Sequence, residues 1–124
     1  MKMQQKLSIA NGLRYTSLIS ISIISILVFG FALVSGAENY GGGFTGILKN
    51  SPNALPWMAL IVLAIVSWRN ALLGGILTTL FGIVVVYFFN FSGPNFFLST
   101  FIITSSIVLI GIMLLASHLI NNKI

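Results

Sequence analysis

The sequence predicts an all-α integral membrane protein, a four-helix bundle with both termini cytoplasmic. Three observations carry this expectation. Only 6% of the 124 residues are charged and 57% are hydrophobic, whereas soluble domains carry about 25% charged residues. Residues 56–91 form an almost wholly apolar run with Arg69 near its middle. The run is roughly twice the ~20 residues that span a bilayer core, and an arginine at bilayer centre costs about 2.5–3.5 kcal/mol on insertion scales. Folding the run at Arg69 and Asn70 places the charge at a membrane surface and makes the run a helical hairpin. The third observation is charge placement. Lys2, Lys6, Arg14, Arg69 and Lys123 fall on one side of a four-span arrangement, and Lys49 alone falls on the other. By the positive-inside rule, both termini and the Arg69 turn face the cytoplasm. A three-span arrangement would destroy that asymmetry. Residues 1–124 are therefore expected to be one four-span domain of the inner (plasma) membrane, multi-pass, with helices at about 15–37, 54–68, 71–89 and 95–119.

Residues 1–14 are polar and basic and read as a cytoplasmic lead-in, in which Leu7, Ile9, Ala10 and Leu13 could lie as a short surface helix. Residues 15–37 are uncharged and long enough to span. A basic start followed by Ser35, Gly36 and Ala37 resembles a cleaved signal. The apolar stretch is longer than the usual signal core of about 7–15 residues, so an uncleaved first helix is expected. Residues 36–53 are rich in glycine and end in Ser51, Pro52 and Asn53, so they read as the one substantial loop. Helix two is capped by Asn53, with Pro56 in its first turn, or by Ser51, with Pro52 at its first position. Either start leaves it short, and Trp57 and Trp68 mark its two ends as interfacial tryptophans do. After helix three, residues 90–95 read as a turn, and Pro94 suits the opening of helix four.

On helix three, Gly74, Gly75, Thr78, Thr79 and Gly82 share one face, with Leu77 and Leu80 opposite. Lipid gives helices no hydrophobic drive to associate, so such small faces are where backbones approach closely. Thr100, Thr104 and Gly111 on helix four, and Ser25, Ala32 and Gly36 on helix one, are the expected partners. Serines such as Ser22 and Ser106 are expected to bond their own upstream carbonyls.

Chemistry-bearing constellations are few. Cysteine is absent, which removes disulfides, thiolate metal sites and cysteine nucleophiles. Residues 41–46 match GxGxxG literally, but a dinucleotide site needs a preceding strand in a βαβ unit, and here an apolar helix precedes. Glu38 is the sole carboxylate side chain, so paired-carboxylate catalysis is out of reach. A solvated pair with Lys49 would contribute only about 0–1 kcal/mol. His118 is the lone histidine, with no second ligand type near it. No ionisable group falls at the bilayer midplane, where proton-coupled carriers normally hold one. The basic residues are scattered singly, which argues against nucleic acid. Tyr87, Phe88, Phe89, Phe91, Phe96 and Phe97 gather around the outer turn as an aromatic belt. If the protein has a binding site, the expectation places it at the outer surface with Glu38, Tyr40, Lys49 and Trp57, under a loop that lies across the bundle as a lid.

Residues 38–82 carry a resemblance. Pro56, then Trp68 and Arg69, then Gly74 and Gly75 followed by Ile76 and Leu77, then Gly82, resemble an uncharacterised family of small prokaryotic four-span membrane proteins. Asn53 stands where that family often has a histidine. The resemblance implies the four-helix fold and no activity. The expected function is that of a non-enzymatic structural or accessory subunit that binds a membrane protein partner or lipid. A small dimeric transporter or channel is the rival. The expected partners are the lipid bilayer and either a membrane protein or a second copy of the chain, with no cofactor, no metal and no nucleic acid.

Overall fold

Nothing in residues 3–35 breaks a helix, and they form one, α1 (Met3–Ser35). At 33 residues it is roughly 50 Å long, well beyond the ~30 Å hydrocarbon core. The lead-in is therefore the first turns of the same helix, and Ala10 is buried rather than laid on a surface. The computed structural model describes residues 2–35, 37–91, 93 and 96–122, without the side chains of Glu38, Asn39, Asn53 and Asn122. Gly36, Pro94 and Lys123 carried expectations above and lie outside the described residues.

The segment read as a loop is mostly helical. A short 3-10 turn (Ala37–Tyr40) follows α1. Gly41, Gly42 and Gly43 then turn the chain with φ of 95°, 72° and 66°, a conformation that only glycine adopts cheaply. α2 (Gly43–Arg69) starts there, with Gly42 as its cap, so neither Ser51 nor Asn53 opens it. The glycines were correctly read as a turn, but the turn ends at once, and nothing between Phe44 and Ser51 stops a helix. Pro52 and Pro56 lie inside α2, and its limbs Gly43–Pro52 and Ala54–Arg69 meet at 74°. Proline has no N–H to continue the ladder, and its ring pushes the preceding turn aside. The Leu48 carbonyl, which Pro52 cannot serve, accepts a hydrogen bond from Ser51 Oγ at 2.8 Å.

One residue joins α2 to α3 (Ala71–Asn90). Asn70 donates its N–H to the Val66 carbonyl at 2.7 Å and accepts the Leu73 N–H on its side chain at 3.1 Å. It thus ends one helix and caps the next, at the position where burial of Arg69 was to be avoided. α4 (Leu98–Asn122) completes the chain. α1, α3 and α4 are each long and apolar enough to cross a membrane; α2 qualifies only if its two limbs count as one span.

α3 packs chiefly on α4 and less on α2, while α1 packs on α2 and α4. Ile21, Leu60, Ala64, Ile107 and Ile110 form the buried centre. Gly75 lies against Leu115, Gly82 against Val108, and Thr79 against Gly111, all across the α3–α4 seam. Gly74 instead lies against Ser67 of α2, because the one-residue turn holds those two helices together there. The partner expected from helix one is therefore replaced. Ser25 is buried but bonds the Ser22 carbonyl of its own helix, and Ala32 faces a groove described below. Ser22 and Ser106 do bond upstream carbonyls, at 2.7 Å each. Ser22 also accepts from Trp68 Nε1 at 2.9 Å, which ties α1 to α2.

Candidate functional site

The end of the helices away from the Asn70 turn holds a groove of about 540 Å³. All four helices supply its walls. α1 gives Leu27, Phe31, Ala32 and Ser35; α2 gives Trp57; α3 gives Phe89; α4 gives Thr100, Ile103 and Thr104. Leu27 and Phe31 of α1, Phe89 of α3 and Ile103 of α4 are exposed along it, so it opens on the side of the helices. Its floor is rigid. The Trp57 and Phe89 rings stack with centroids 5.3 Å apart and planes 28° apart, close to the offset geometry that aromatic quadrupoles favour.

A buried polar pair stands behind this floor. Asn90 is 3% exposed, at the last residue of α3. Its Nδ2 donates to the Val86 carbonyl at 2.8 Å and to Thr104 Oγ1 at 3.0 Å. Thr104 in turn donates to the Thr100 carbonyl at 2.8 Å. The pair locks α3 to α4 beside the groove, while Asn90 Oδ1 is buried without a hydrogen-bond partner.

A second asparagine fastens the end of α1 that brings Ala32 to the groove. The last four carbonyls of a helix have no partner in their own helix, and in α1 these include Ala32 and Leu33. Asn50, wholly buried on the first limb of α2, donates to both, at 2.9 and 2.8 Å. It caps α1 from another helix. Gly46, one turn earlier, lies against the Ala37 carbonyl. The first limb of α2 is thus strapped to the end of α1, and it contributes no wall to the groove.

Of the four residues expected to form an outer site, one is found in the groove and two others lie elsewhere on its end of the helices. Trp57 lines the groove. Tyr40 is 47% exposed on the 3-10 turn, and Lys49 is exposed on the first limb of α2. The Glu38 side chain lies outside the described residues. The lid expected from a loop anchored by Tyr40 and Trp57 is replaced by the strapped helical limb. Of the helix-three face, Gly74, Gly75, Thr78 and Gly82 are buried and Thr79 is half-buried, all in helix contacts away from the groove. Sequence reasoning missed Asn50 and Asn90, which it assigned to a loop and a turn. The available signal was an amide beside a long apolar run, since a buried amide needs partners.

Among the described residues, the groove's lining holds no ionisable side chain. It offers apolar and aromatic walls with the hydroxyls of Ser35, Thr100 and Thr104, a surface suited to an extended hydrocarbon chain. Among the described residues, no group of three or more His, Cys, Asp or Glu is placed to hold a metal ion.

The profile of a family described as Domain of unknown function (DUF7670) matches residues 3–124. No curated protein and no solved structure matches the chain significantly.

Proposed function

We propose that this chain, which belongs to the DUF7670 family, is a non-enzymatic accessory membrane protein that holds a lipid acyl chain in its lateral groove. The single observation that supports this reading is the groove itself, about 540 Å³ with a stacked Trp57–Phe89 pair and exposed apolar residues along its opening. Small-molecule sites are commonly concave, apolar and about 300–1,000 Å³, with few polar groups. A ligand entering from the side of a membrane-crossing helix arrives through lipid, so a hydrocarbon chain is the chemistry that fits.

The test uses Trp57 as a local reporter in a Trp68→Phe background, leaving one tryptophan. Phospholipids with brominated acyl chains are expected to quench its fluorescence. Ala32→Phe, which fills the groove, is expected to remove at least half of that quenching. Phe44→Ala, on an exposed position outside the groove, is expected to leave it unchanged. Equal quenching in the filled and open proteins would sink the reading.

The fold we propose for it in the membrane is a four-helix bundle of the inner membrane, in which the second limb of α2 makes the remaining span and both termini are cytoplasmic. That limb, Ala54–Arg69, rises only about 24 Å, so the bilayer thins or the strapped limb sits among headgroups. Reporter fusions after Arg69 and at the C-terminus should read cytoplasmic, and fusions near Lys49 external. An external C-terminus would refute the bundle.

A further inference from the structure

At the other end of the helices, beside the Asn70 turn, lies a small, mostly polar pocket of about 50 Å³. We propose that it binds a phosphate oxyanion, carried by the headgroup of a membrane phospholipid or by free phosphate. Its walls include Asn11 and Arg14 of α1, Ala71 at the start of α3, and His118 and Asn121 of α4.

Arg14 is the reason to look for an anion. Its side chain is half-buried, and its Nε is buried with no hydrogen-bond partner among the described residues. The guanidinium rests 5.9 Å from the centre of the Tyr15 ring, which offers a face but no acceptor. A guanidinium is a permanent cation with five N–H donors in a fixed fork. Leaving its Nε–H buried without an acceptor is costly. The only carboxylate side chain in the sequence is Glu38, beyond the far end of α1. The 21 residues from Arg14 to Ser35 put it more than about 30 Å away. The chain therefore has no carboxylate side chain that can reach Arg14. A water could satisfy Nε but not the charge.

The neighbouring groups point the same way. Hydrogen bonding within α3 begins with the Gly74 N–H to the Asn70 carbonyl, and the Leu73 N–H is taken by the Asn70 side chain. The N–H groups of Ala71 and Leu72 are therefore helix-start donors without an intrahelical partner, at the helix end whose partial charge favours anions. Ala71 is in the pocket wall. The amides of Asn11 and Asn121 can add neutral donors. A water-sized group needs about 10–15 Å³ of such space, so the pocket takes about three to five, enough for the outer oxygens of one phosphate group. Its level also fits. Arg14 is the last charged residue before the apolar part of α1, which is where headgroups lie. The groove lies at the opposite end of the helices, so this site does not depend on the acyl-chain reading.

The test uses the full chain purified free of lipid in detergent. Phosphatidylglycerol, the chain-matched diacylglycerol that lacks phosphate, and inorganic phosphate are each titrated, with thermal stabilisation and native mass spectrometry as readouts. Phosphatidylglycerol is expected to bind and stabilise, and diacylglycerol to do neither at this site. Arg14→Gln should weaken phosphatidylglycerol binding at least tenfold, with Arg14→Lys in between because it keeps the charge but loses the fork. Asn121→Leu is the second variant should Arg14→Gln not fold, and it should weaken binding severalfold. Competition by inorganic phosphate identifies a site open to the free anion; binding of the lipid without such competition identifies a headgroup site. The proposal is overturned if neither phosphatidylglycerol nor inorganic phosphate binds, if diacylglycerol binds as well as phosphatidylglycerol, or if Arg14→Gln and Asn121→Leu both bind like the wild type.

Discussion

Replacing Gly111 by leucine is expected to lower the unfolding free energy by about 1–3 kcal/mol or more, the range for overpacking a filled interior. The reason is what a side chain would meet. A Cβ on Gly111 would sit 2.6 Å from the backbone nitrogen of Thr79 and 2.9 Å from its Cα. A flexible side-chain tip can step aside, but a backbone atom moves only with its helix, so α4 must separate from α3. The rest of the seam opens with it, because Gly75 and Gly82 approach Leu115 and Val108 as closely: their added Cβ atoms would lie 2.9 Å from Leu115 Cγ and 2.7 Å from Val108 Cγ2. Gly75→Leu and Gly82→Leu should therefore act in the same direction. Gly30→Ala is the matched control, since nothing lies within 4 Å of its added Cβ, and alanine gains roughly 1 kcal/mol of helix propensity over glycine. Leu77→Ala on the exposed face should also do little. Chemical or thermal unfolding in one detergent checks the set. Equal losses in Gly111→Leu and Gly30→Ala would remove the basis for a close-packed seam.

The second large effect is expected at Asn50. Asn50→Leu keeps the branched outline of the side chain with some added bulk and loses both hydrogen bonds to α1. Two carbonyls, Ala32 and Leu33, are then left without that partner where Asn50 was wholly buried. Each buried group left unsatisfied costs about 1–3 kcal/mol in proteins generally, although measured side-chain bonds between membrane helices average nearer 0.6 kcal/mol. A loss of about 1–4 kcal/mol is expected. It should be local: amide exchange should rise across Gly43–Pro52 and the last turn of α1, while the α3–α4 seam is unchanged. Asn50→Gln tests geometry, because it retains the donor on a longer stem. If Asn50→Leu exchanges like the wild type across that limb, the strap is held by something else.

These two sites also separate what was legible in the sequence from what was not. The glycines of α3 could be read from spacing alone, because a missing Cβ and a 100° step per residue are local properties. Which helix each glycine meets could not. The seam takes Gly75 and Gly82 to α4, yet Gly74 goes to Ser67 on α2, because a one-residue turn dictates the rotation of α2 against α3. The expected role for Ser25 and Ala32 of α1 failed for the same reason: spacing names a face but not its neighbour. The candidate site was less legible still. Trp57 was singled out, but its stacking partner Phe89 was read only as belt, and Tyr40 and Lys49 are not in the groove.

Composition alone dictates the apolar solvent that suits this chain. Near-absence of charge and long apolar runs make three helices suited to crossing a membrane, and the cost of a central arginine places a turn beside Arg69. Those conclusions rest on transfer energies, which sum over residues without regard to neighbours. Packing between helices decided that residues 43–52 are helical, that Asn50 caps α1, that Asn90 joins Thr104, and that Arg14 lines a polar pocket with its Nε unpartnered among the described residues. Each of these depends on which donor finds which acceptor across helices. A 74° bend at two prolines and a turn on one asparagine decide that, and no count of residue types contains those angles.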